Sequence, residues 1–367
     1  MKILEVVFNF YPGGAERFAV DLTNELSKSN EVTIMAIKDD SVDPERDLFY
    51  ASELADRVTY KNVGIGKGYS LHKVVKIYKA IKREKADIVH LHGNKMPHYC
   101  ILAIFLLNRK MKFYQTIHSD IHNGYDSLFY RFLVKTVGYQ QRMGFIALSE
   151  TNYRDMIDVY PKIKGACIPN GRAPIVPTDR FDETKEEMAS YKSAADSRIY
   201  LHVARCNPVK NQTLLVEAFG KLVEKGYHAD LIIIGPDFES ELGESIRARA
   251  GKNVHFMGTR RNIGDYMLHA DVFCLSSDFE GLPITILEAS LAGLPIVSTS
   301  VCGAVDVIEN KVNGVLSEGH TVGEYLDALE YSYRHLCELR QHSLKMKNDS
   351  SFTIENCARE YMVFFNR

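Results

Sequence analysis

The chain has 367 residues, of which 46% are hydrophobic and 25% charged, with a net charge of −2. That is the composition of a soluble globular protein with two domains of ordinary size, each able to bury its own core. The slightly acidic balance and the lack of a recognition motif argue against nucleic acid as a partner.

The charge is unevenly spread. Residues 1–170 hold 24 basic and 19 acidic side chains, and residues 171–367 hold 21 and 28. The positive excess gathers in 67–85, where Lys67, Lys73, Lys76, Lys79, Lys82, Arg83 and Lys85 face a single acid, Glu84. Such a run is either a solvated helix face or a surface for anionic membrane. The longest dense apolar run, 99–107, is too short to span a bilayer. Residues 1–5 open directly into a strand-like pattern rather than a signal peptide. The seven cysteines show neither Cys-x-x-Cys nor a Cys/His metal spacing and read as reduced thiols of a cytoplasmic protein.

In chain order, a β-rich run at 2–8 precedes Gly13-Gly14, and 15–27 has helical spacing with Phe18, Leu22 and Leu26 on one face. A strand is expected at 32–37, a helix at 71–83, and strands at 88–91, 113–117, 144–148 and 166–169. A polar stretch, 173–197, reads as a connection between domains and contains a helical segment at 183–191. A second series follows: strand 199–203, helix 212–225, then strands at 231–234, 254–256, 272–275 and 295–298. The alternation predicts an α/β protein of two Rossmann-like domains facing a cleft, 1–172 and 198–350, with ligands outside the carboxyl ends of the strands.

The residues that carry chemistry sit at those strand ends. In Glu280-Gly281-Leu282-Pro283-Ile284, followed by Glu288, a glycine permits close approach of backbone to ligand, and Pro283 suits the first helical position. The first-turn amides would form a phosphate or hydroxyl site. Glu288 would reach a ribose and Glu280 a sugar. Arg205 and Lys210 lie between a strand and a helix, placed for a diphosphate. Gly13 and Gly14 form the matching loop of the first domain, though not as a dinucleotide fingerprint or a Walker pattern. His118 ends a strand, where it is either a structural residue or a group that meets a sugar hydroxyl or developing charge. His90 and His92 rank lower. No Asp-x-Asp pair is present to hold a metal on a diphosphate.

Together, Gly13-Gly14-Ala15-Glu16, His118, Arg205 with Lys210-Asn211, and Glu280 with Glu288 resemble the motifs of the family 4 retaining glycosyltransferases, which have the GT-B architecture. Ile168-Pro169-Asn170-Gly171 is similar to that family's turn before the linker. The resemblance is strongest over 198–315. It implies a C-terminal helix, 351–367, returning to the first domain. It also implies roles. Arg205 and Lys210 neutralise the leaving diphosphate, Glu288 holds the ribose, and Glu280 lies against the donor sugar. His118 meets the sugar near the reacting carbon. Gly281, Leu282, Pro283 and Ile284 contact hydroxyls and phosphate, Gly13 and Gly14 approach the phosphates, and backbone around Met257, Thr259 and Arg260 covers the base. Cys302-Gly303-Ala304-Val305-Asp306 departs from the family's usual Gly-Gly-x-x-Glu.

The implied reaction is transfer from a UDP-sugar, with GDP the alternative, to a glycan or lipid-linked acceptor of polysaccharide, capsule or lipopolysaccharide synthesis. No cofactor or divalent metal is expected, and the basic 67–85 segment suggests peripheral contact with the inner face of a membrane. Two other readings stay open: a nucleotide-sugar epimerase of the same fold, and a non-catalytic nucleotide-sugar binding protein.

Overall fold

Runs of Val, Ile and Leu without polar alternation make strands that must be covered on both faces, and only helices in crossover connections can cover a parallel sheet. The computed structural model describes residues 1–119, 121, 128–140, 142–346 and 350–367. It comprises two units, 1–173 with 351–367, and 174–350.

In the first unit β1 (Lys2–Val7), β2 (Glu31–Lys38), β3 (Thr59–Ile65), β4 (Ile88–His92), β5 (Lys112–Ile117), β6 (Met143–Ala147) and β7 (Lys164–Cys167) form one sheet in the order β3-β2-β1-β4-β5-β6-β7. Every pairing is parallel. The Gly14–Leu26 helix buries Phe18, Leu22 and Leu26, the stripe its spacing foretells. The Leu71–Glu84 helix starts at Ser70, whose hydroxyl accepts from the Lys73 amide, and stops at Lys85 in the left-handed region. The apolar run at 99–107 is most of a helix, Met96–Leu107, packed on the core through Cys100, Ala103 and Ile104.

The last helix, Ile354–Phe365, belongs to this unit and buries Cys357, Tyr361, Phe364 and Phe365. The Tyr361 ring lies 5.9 Å from that of Phe18, and the Tyr114 hydroxyl donates to the Phe365 carbonyl (3.2 Å). The helix is admitted by Gly171. A Cβ there would lie 2.5 Å from the Thr353 carbonyl oxygen and 2.7 Å from both Ile354 Cα and Cys357 Cβ. The Asn170-Gly171 turn is thus a packing requirement. Arg172 beside it donates to Asp21 of the Gly14–Leu26 helix (2.9 Å).

In the second unit β8 (Arg198–Val203), β9 (Ala229–Ile234), β10 (Val254–Phe256), β11 (Val272–Leu275), β12 (Ile296–Thr299) and β13 (Gly314–Ser317) repeat the plan in the order β10-β9-β8-β11-β12-β13, again parallel. The Gln212–Glu224 and Val322–Arg334 helices bury Phe219, Leu222, Tyr325 and Leu329 into its core. Most of the 173–197 segment packs here. Its helix, Phe181–Ser190, presents Glu187 to Tyr266, and Thr178 is bound through backbone and hydroxyl to Asp265. Among the described residues no helix is long and apolar enough to cross a membrane.

The first core contains charge. Glu5 on β1 is fully buried and pairs in register with His90 on β4. Its Oε2 lies 2.7 Å from His90 Nδ1 and 2.7 Å from His92 Nε2. His90 Nε2 continues to the Thr116 hydroxyl (2.8 Å), which meets the Tyr361 hydroxyl (2.8 Å). Burial alone would push the Glu5 carboxyl up, but attraction and hydrogen bonds from His90 and His92 outweigh it and hold it at about 2. Burial, with the charge of His90 beside it, pushes His92 down to about 4.

Two outcomes follow from these contacts. Gly171→Ala should destabilise the first unit by roughly 1–3 kcal/mol, because the added methyl meets backbone that cannot yield; an unchanged denaturant midpoint would contradict it. On unfolding in acid, His92 gains a proton below its ordinary 6.5, so its contribution is complete above that pH and fades as pH falls through about 4. Glu5 adds a further loss between its ordinary 4.5 and about 2. Thermal midpoints should therefore hold from pH 7.5 to about 6.5 and drop from there to about pH 4, and a flat profile across that lower window would refute the assignment.

Candidate functional site

In a doubly wound sheet the strand order reverses between two neighbours, and the loops leaving them diverge to form a crevice. In the second unit those neighbours are β8 and β11. The loop after β8 carries Arg205 and Lys210, and the loop after β11 carries Glu280 and Gly281. The fold therefore gathers the cationic pair and the Glu-x7-Glu segment at one end of one sheet.

The two loops are locked together. Ser276 Oγ donates to the Lys210 carbonyl (2.8 Å), the Asp278 amide to the Val209 carbonyl (2.8 Å), and Asn211 Nδ2 to Asp278 Oδ1 (2.8 Å). Asn211 occupies the left-handed region (φ 44°) and its side chain caps the Gln212–Glu224 helix. An asparagine can do both, so Lys210-Asn211 is a turn as well as a charge. Lys210 Nζ lies 2.5 Å from Glu280 Oε1, and Ser277 Oγ donates to the same oxygen (2.6 Å). Among the described residues Glu280 Oε2 has no recorded partner. Arg205 is exposed, and its carbonyl accepts from Gln212 Nε2 (2.9 Å). Gly235, at φ +156°, allows the end of β9 to approach this loop, since a Cβ would lie 2.0 Å from the Ala204 carbonyl oxygen.

Gly281, Leu282, Pro283 and Ile284 are buried at the start of the Ile284–Ala292 helix. Pro283 is the cap residue (φ −64°, ψ 127°) rather than the first helical residue, one position earlier than its sequence context suggests. The Ile286 and Leu287 amides fold back to the Pro283 carbonyl, which leaves those of Ile284 and Thr285 as the first-turn donors without an acceptor inside the helix. Glu288, one turn on from Ile284, is 7% exposed. Gly303, at φ +72°, sits under this loop, with a Cβ position only 2.2 Å from the Gly281 carbonyl oxygen and 2.6 Å from Leu282 Cα. The glycine in the departing motif is therefore needed to seat Gly281, while Asp306 is exposed on the short helix that follows.

At 257–260 the Met257 and Arg260 side chains turn inward. The Met257 amide bonds the Ile233 carbonyl (3.0 Å), and Arg260 donates to the Met257 carbonyl (2.5 Å), the Tyr266 hydroxyl (3.1 Å) and Glu187 (3.3 Å). The Arg260 guanidinium is a clasp onto the Phe181–Ser190 helix, and Thr259 is the exposed residue of the loop.

In the first unit Gly13 caps the Gly14–Leu26 helix in extended backbone, and Gly14 is exposed. A Cβ on Gly13 would lie 2.5 Å from the Glu16 carboxylate. His118 follows β5, half-buried, with Nε2 3.1 Å from His92 Nδ1, and the two rings stack at 5.4 Å. Burial, then the charges of His92 and His90, holds His118 well below the usual histidine range. These surroundings favour its neutral form.

His92 supports His118 directly, and His90 packs against His92 with ring centroids 4.2 Å apart. The sequence reading passed over Glu5, whose only signal is a lone carboxylate in an apolar strand. It also passed over Ser276 and Ser277. Among the described residues Glu5, His90 and His92 are the one group of three whose ligand atoms lie within 4.8 Å of one another. Their 2.7 Å separations are hydrogen-bond lengths, whereas two ligands on one tetrahedral ion at about 2.1 Å would stand about 3.4 Å apart. The cluster shares protons.

The family described as Glycosyl transferases group 1 matches residues 183–342, and Glycosyltransferase Family 4 matches residues 12–174. An uncharacterized glycosyltransferase of Methanocaldococcus jannaschii is 26% identical over 62% of this chain, which spans 59% of that protein. The UDP-Gal:alpha-D-GlcNAc-diphosphoundecaprenol alpha-1,3-galactosyltransferase of Escherichia coli is 25% identical over 73% of this chain and 71% of its own length. The crystal structure of Anabaena HepE in complex with UDP-glucose superposes with a TM-score of 0.78 at 18% identity, covering 100% of this chain and 99% of that one. With two doubly wound units and a family match in each, the chain belongs to the family 4 glycosyltransferases of GT-B architecture.

Proposed function

We propose that this glycosyltransferase moves a sugar, with retention of configuration and without a divalent metal, from a UDP-sugar to a hydroxyl of a glycan or lipid-linked acceptor. The acceptor belongs to surface polysaccharide, capsule or lipopolysaccharide synthesis. The observation that carries this reading is the Lys210–Glu280 pair at the switch point of the second unit, on loops that also carry Arg205 and the Ile284 and Thr285 amides. Two cations and a helix N-terminus suit a diphosphate. The E. coli relative, named for a UDP-sugar donor and a diphosphoundecaprenol-linked acceptor, supports the donor and acceptor classes, as does the HepE complex for the donor.

The Lys210–Glu280 pair makes the two demands of such a donor compatible. A bare carboxylate would repel a diphosphate. With Lys210 and Ser277 on Oε1, Glu280 is neutralised there and keeps Oε2 for a sugar hydroxyl. As the bond from the anomeric carbon to phosphate oxygen breaks, Arg205, Lys210 and the helix amides take up the developing charge. The acceptor oxygen bonds to the same carbon on the same face, and its proton passes to the departing phosphate oxygen. His118 meets the sugar near that carbon, Gly13 and Gly14 approach the phosphates, Glu288 holds the ribose, and exposed backbone at Thr259 covers the base.

The surface of the Leu71–Glu84 helix fits a lipid-linked acceptor. Its outer face carries Leu71, Val75, Lys79, Lys82 and Arg83. Lys73 and Lys76 turn back onto the carbonyls of Gly66 and Gly64 (2.9 and 2.8 Å), so fewer cations face outward than the sequence count suggests. Each outward cation adds about 1 kcal/mol near an anionic surface. Peripheral contact at the cytoplasmic face of a membrane is part of this proposal.

Three outcomes test it. In calorimetry UDP should bind more tightly than GDP or ADP, indifferent to EDTA, and Glu288→Ala should weaken it. Binding only with added metal, or to no nucleotide, would overturn the site. Lys210→Ala should lower turnover roughly 10²–10³-fold, and a full-rate variant would remove Lys210 from leaving-group stabilisation. The protein should sediment with anionic vesicles at low salt and be released as salt rises. Indifference to such vesicles would refute the membrane contact.

A further inference from the structure

The chain of buried groups under His118 has a direction. Glu5 is held as a carboxylate and can only accept. Its Oε1 has no hydrogen-bond partner among the described residues, and Oε2 takes both rings. His92 must therefore donate from Nε2. His92 is kept neutral by burial, so its Nδ1 carries a lone pair and must accept. The atom 3.1 Å from it is His118 Nε2, which must then be the donor.

We propose that Glu5 and His92 are positioning residues for His118, holding its proton on Nε2 and a lone pair on Nδ1 through the hydrogen-bonded chain Glu5 Oε2–His92–His118. The ring orientation is set by the same contacts. The His92 and His118 planes lie 29° apart, and Phe18 packs edge-on against both at 6.1 and 5.8 Å. The consequence for the reaction rests on reading His118 as a contact of the donor sugar. Nδ1 then presents a lone pair rather than a proton. The strand register makes the arrangement possible. Glu5 pairs with His90, and His92, two residues on, shares its face of the sheet and comes within reach of the same oxygen.

The primary test uses the unmodified protein with 15N-labelled histidine, and assigns the His118 ring by its disappearance in His118→Gln. The expected spectrum shows a neutral ring protonated on Nε2. A ring protonated on Nδ1, or an imidazolium at neutral pH, would overturn the proposal. Glu5→Gln probes the cause. Its amide can donate to His92, which reverses the chain and moves the His118 proton to Nδ1. Turnover should then fall roughly 10–100-fold, as when an orienting carboxylate behind a histidine is lost, with donor KM unchanged. A folded Glu5→Gln protein with an unaltered His118 spectrum would refute the role. Tyr361→Phe disturbs the other arm of the cluster, through Thr116 and His90, and should leave the His118 tautomer as it is. If it shifts the proton as Glu5→Gln does, the effect is general loosening and the proposal fails. Should Glu5→Gln not fold, the wild-type spectrum still decides. His118→Ala at full rate would instead count against the sugar-contact reading alone, because the tautomer is measured without turnover.

Discussion

Within each sheet every recorded pairing is parallel, so all strand ends of one kind come out along one edge. This constraint organises the molecule. Residues far apart in the chain, Arg205 and Glu280, or Gly13 and His118, follow strands that end on the same edge of their sheet. A parallel sheet must also be covered on both faces, so the strands are apolar nearly throughout and polar groups are pushed to the exit loops. Chemistry in such a fold is a property of loops, and the glycines that let loops approach one another become as necessary as the charged residues. Gly235 and Gly303 serve in this way, each with a Cβ position occupied by another loop's backbone.

The molecule handles its buried carboxylates in two ways. Glu280 keeps 11% of its side-chain surface, and its cation, Lys210, is the more exposed partner at 22%. A pair of this kind can open to a ligand, because water can take up whichever charge is released. Glu5 has no such outlet. It is fully buried, and two histidines share one of its oxygens. Removing a partner there leaves an uncompensated charge in the core, a far larger penalty than loosening a surface pair. The first arrangement suits a group that must change partners during turnover, and the second suits a fixed frame.

The sequence made the alternation, both sheets and the Glu-x7-Glu loop legible because each depends on short-range pattern: period, glycine placement and strand ends. Edge strand β3 (TYKNVGI) escaped because it is polar and only half covered, so no apolar run marks it. The Met96–Leu107 helix escaped as a helix because apolar residues surround it and leave no stripe to count. Charge partners were legible least of all. Lys210 and Glu280 are 70 residues apart, and Glu5 and His92 are 87 apart, and nothing local announces either contact. The basic run at 67–85 was legible as composition only. That Lys73 and Lys76 spend their ammonium groups on neighbouring carbonyls depends on how the chain enters its helix.

On the proposed reading of His118 as a contact of the donor sugar, its neutrality bears on the chemistry as strongly as its position. Departure of a diphosphate from a sugar carbon builds positive character on the ring, as in other glycosyl transfers. A cation beside that carbon would oppose the change at the moment it occurs, while cations beside the phosphate favour it. On that reading the protein separates the two requirements. Arg205 and Lys210 lie on a loop of the second unit. His118 is stripped of its charge by burial and by the neighbouring histidines. A solvated histidine at the same strand end would titrate near neutral pH and carry a variable charge there. Burial beside His92 removes that variability, and Glu5 is the shared acceptor for the two histidines in the core.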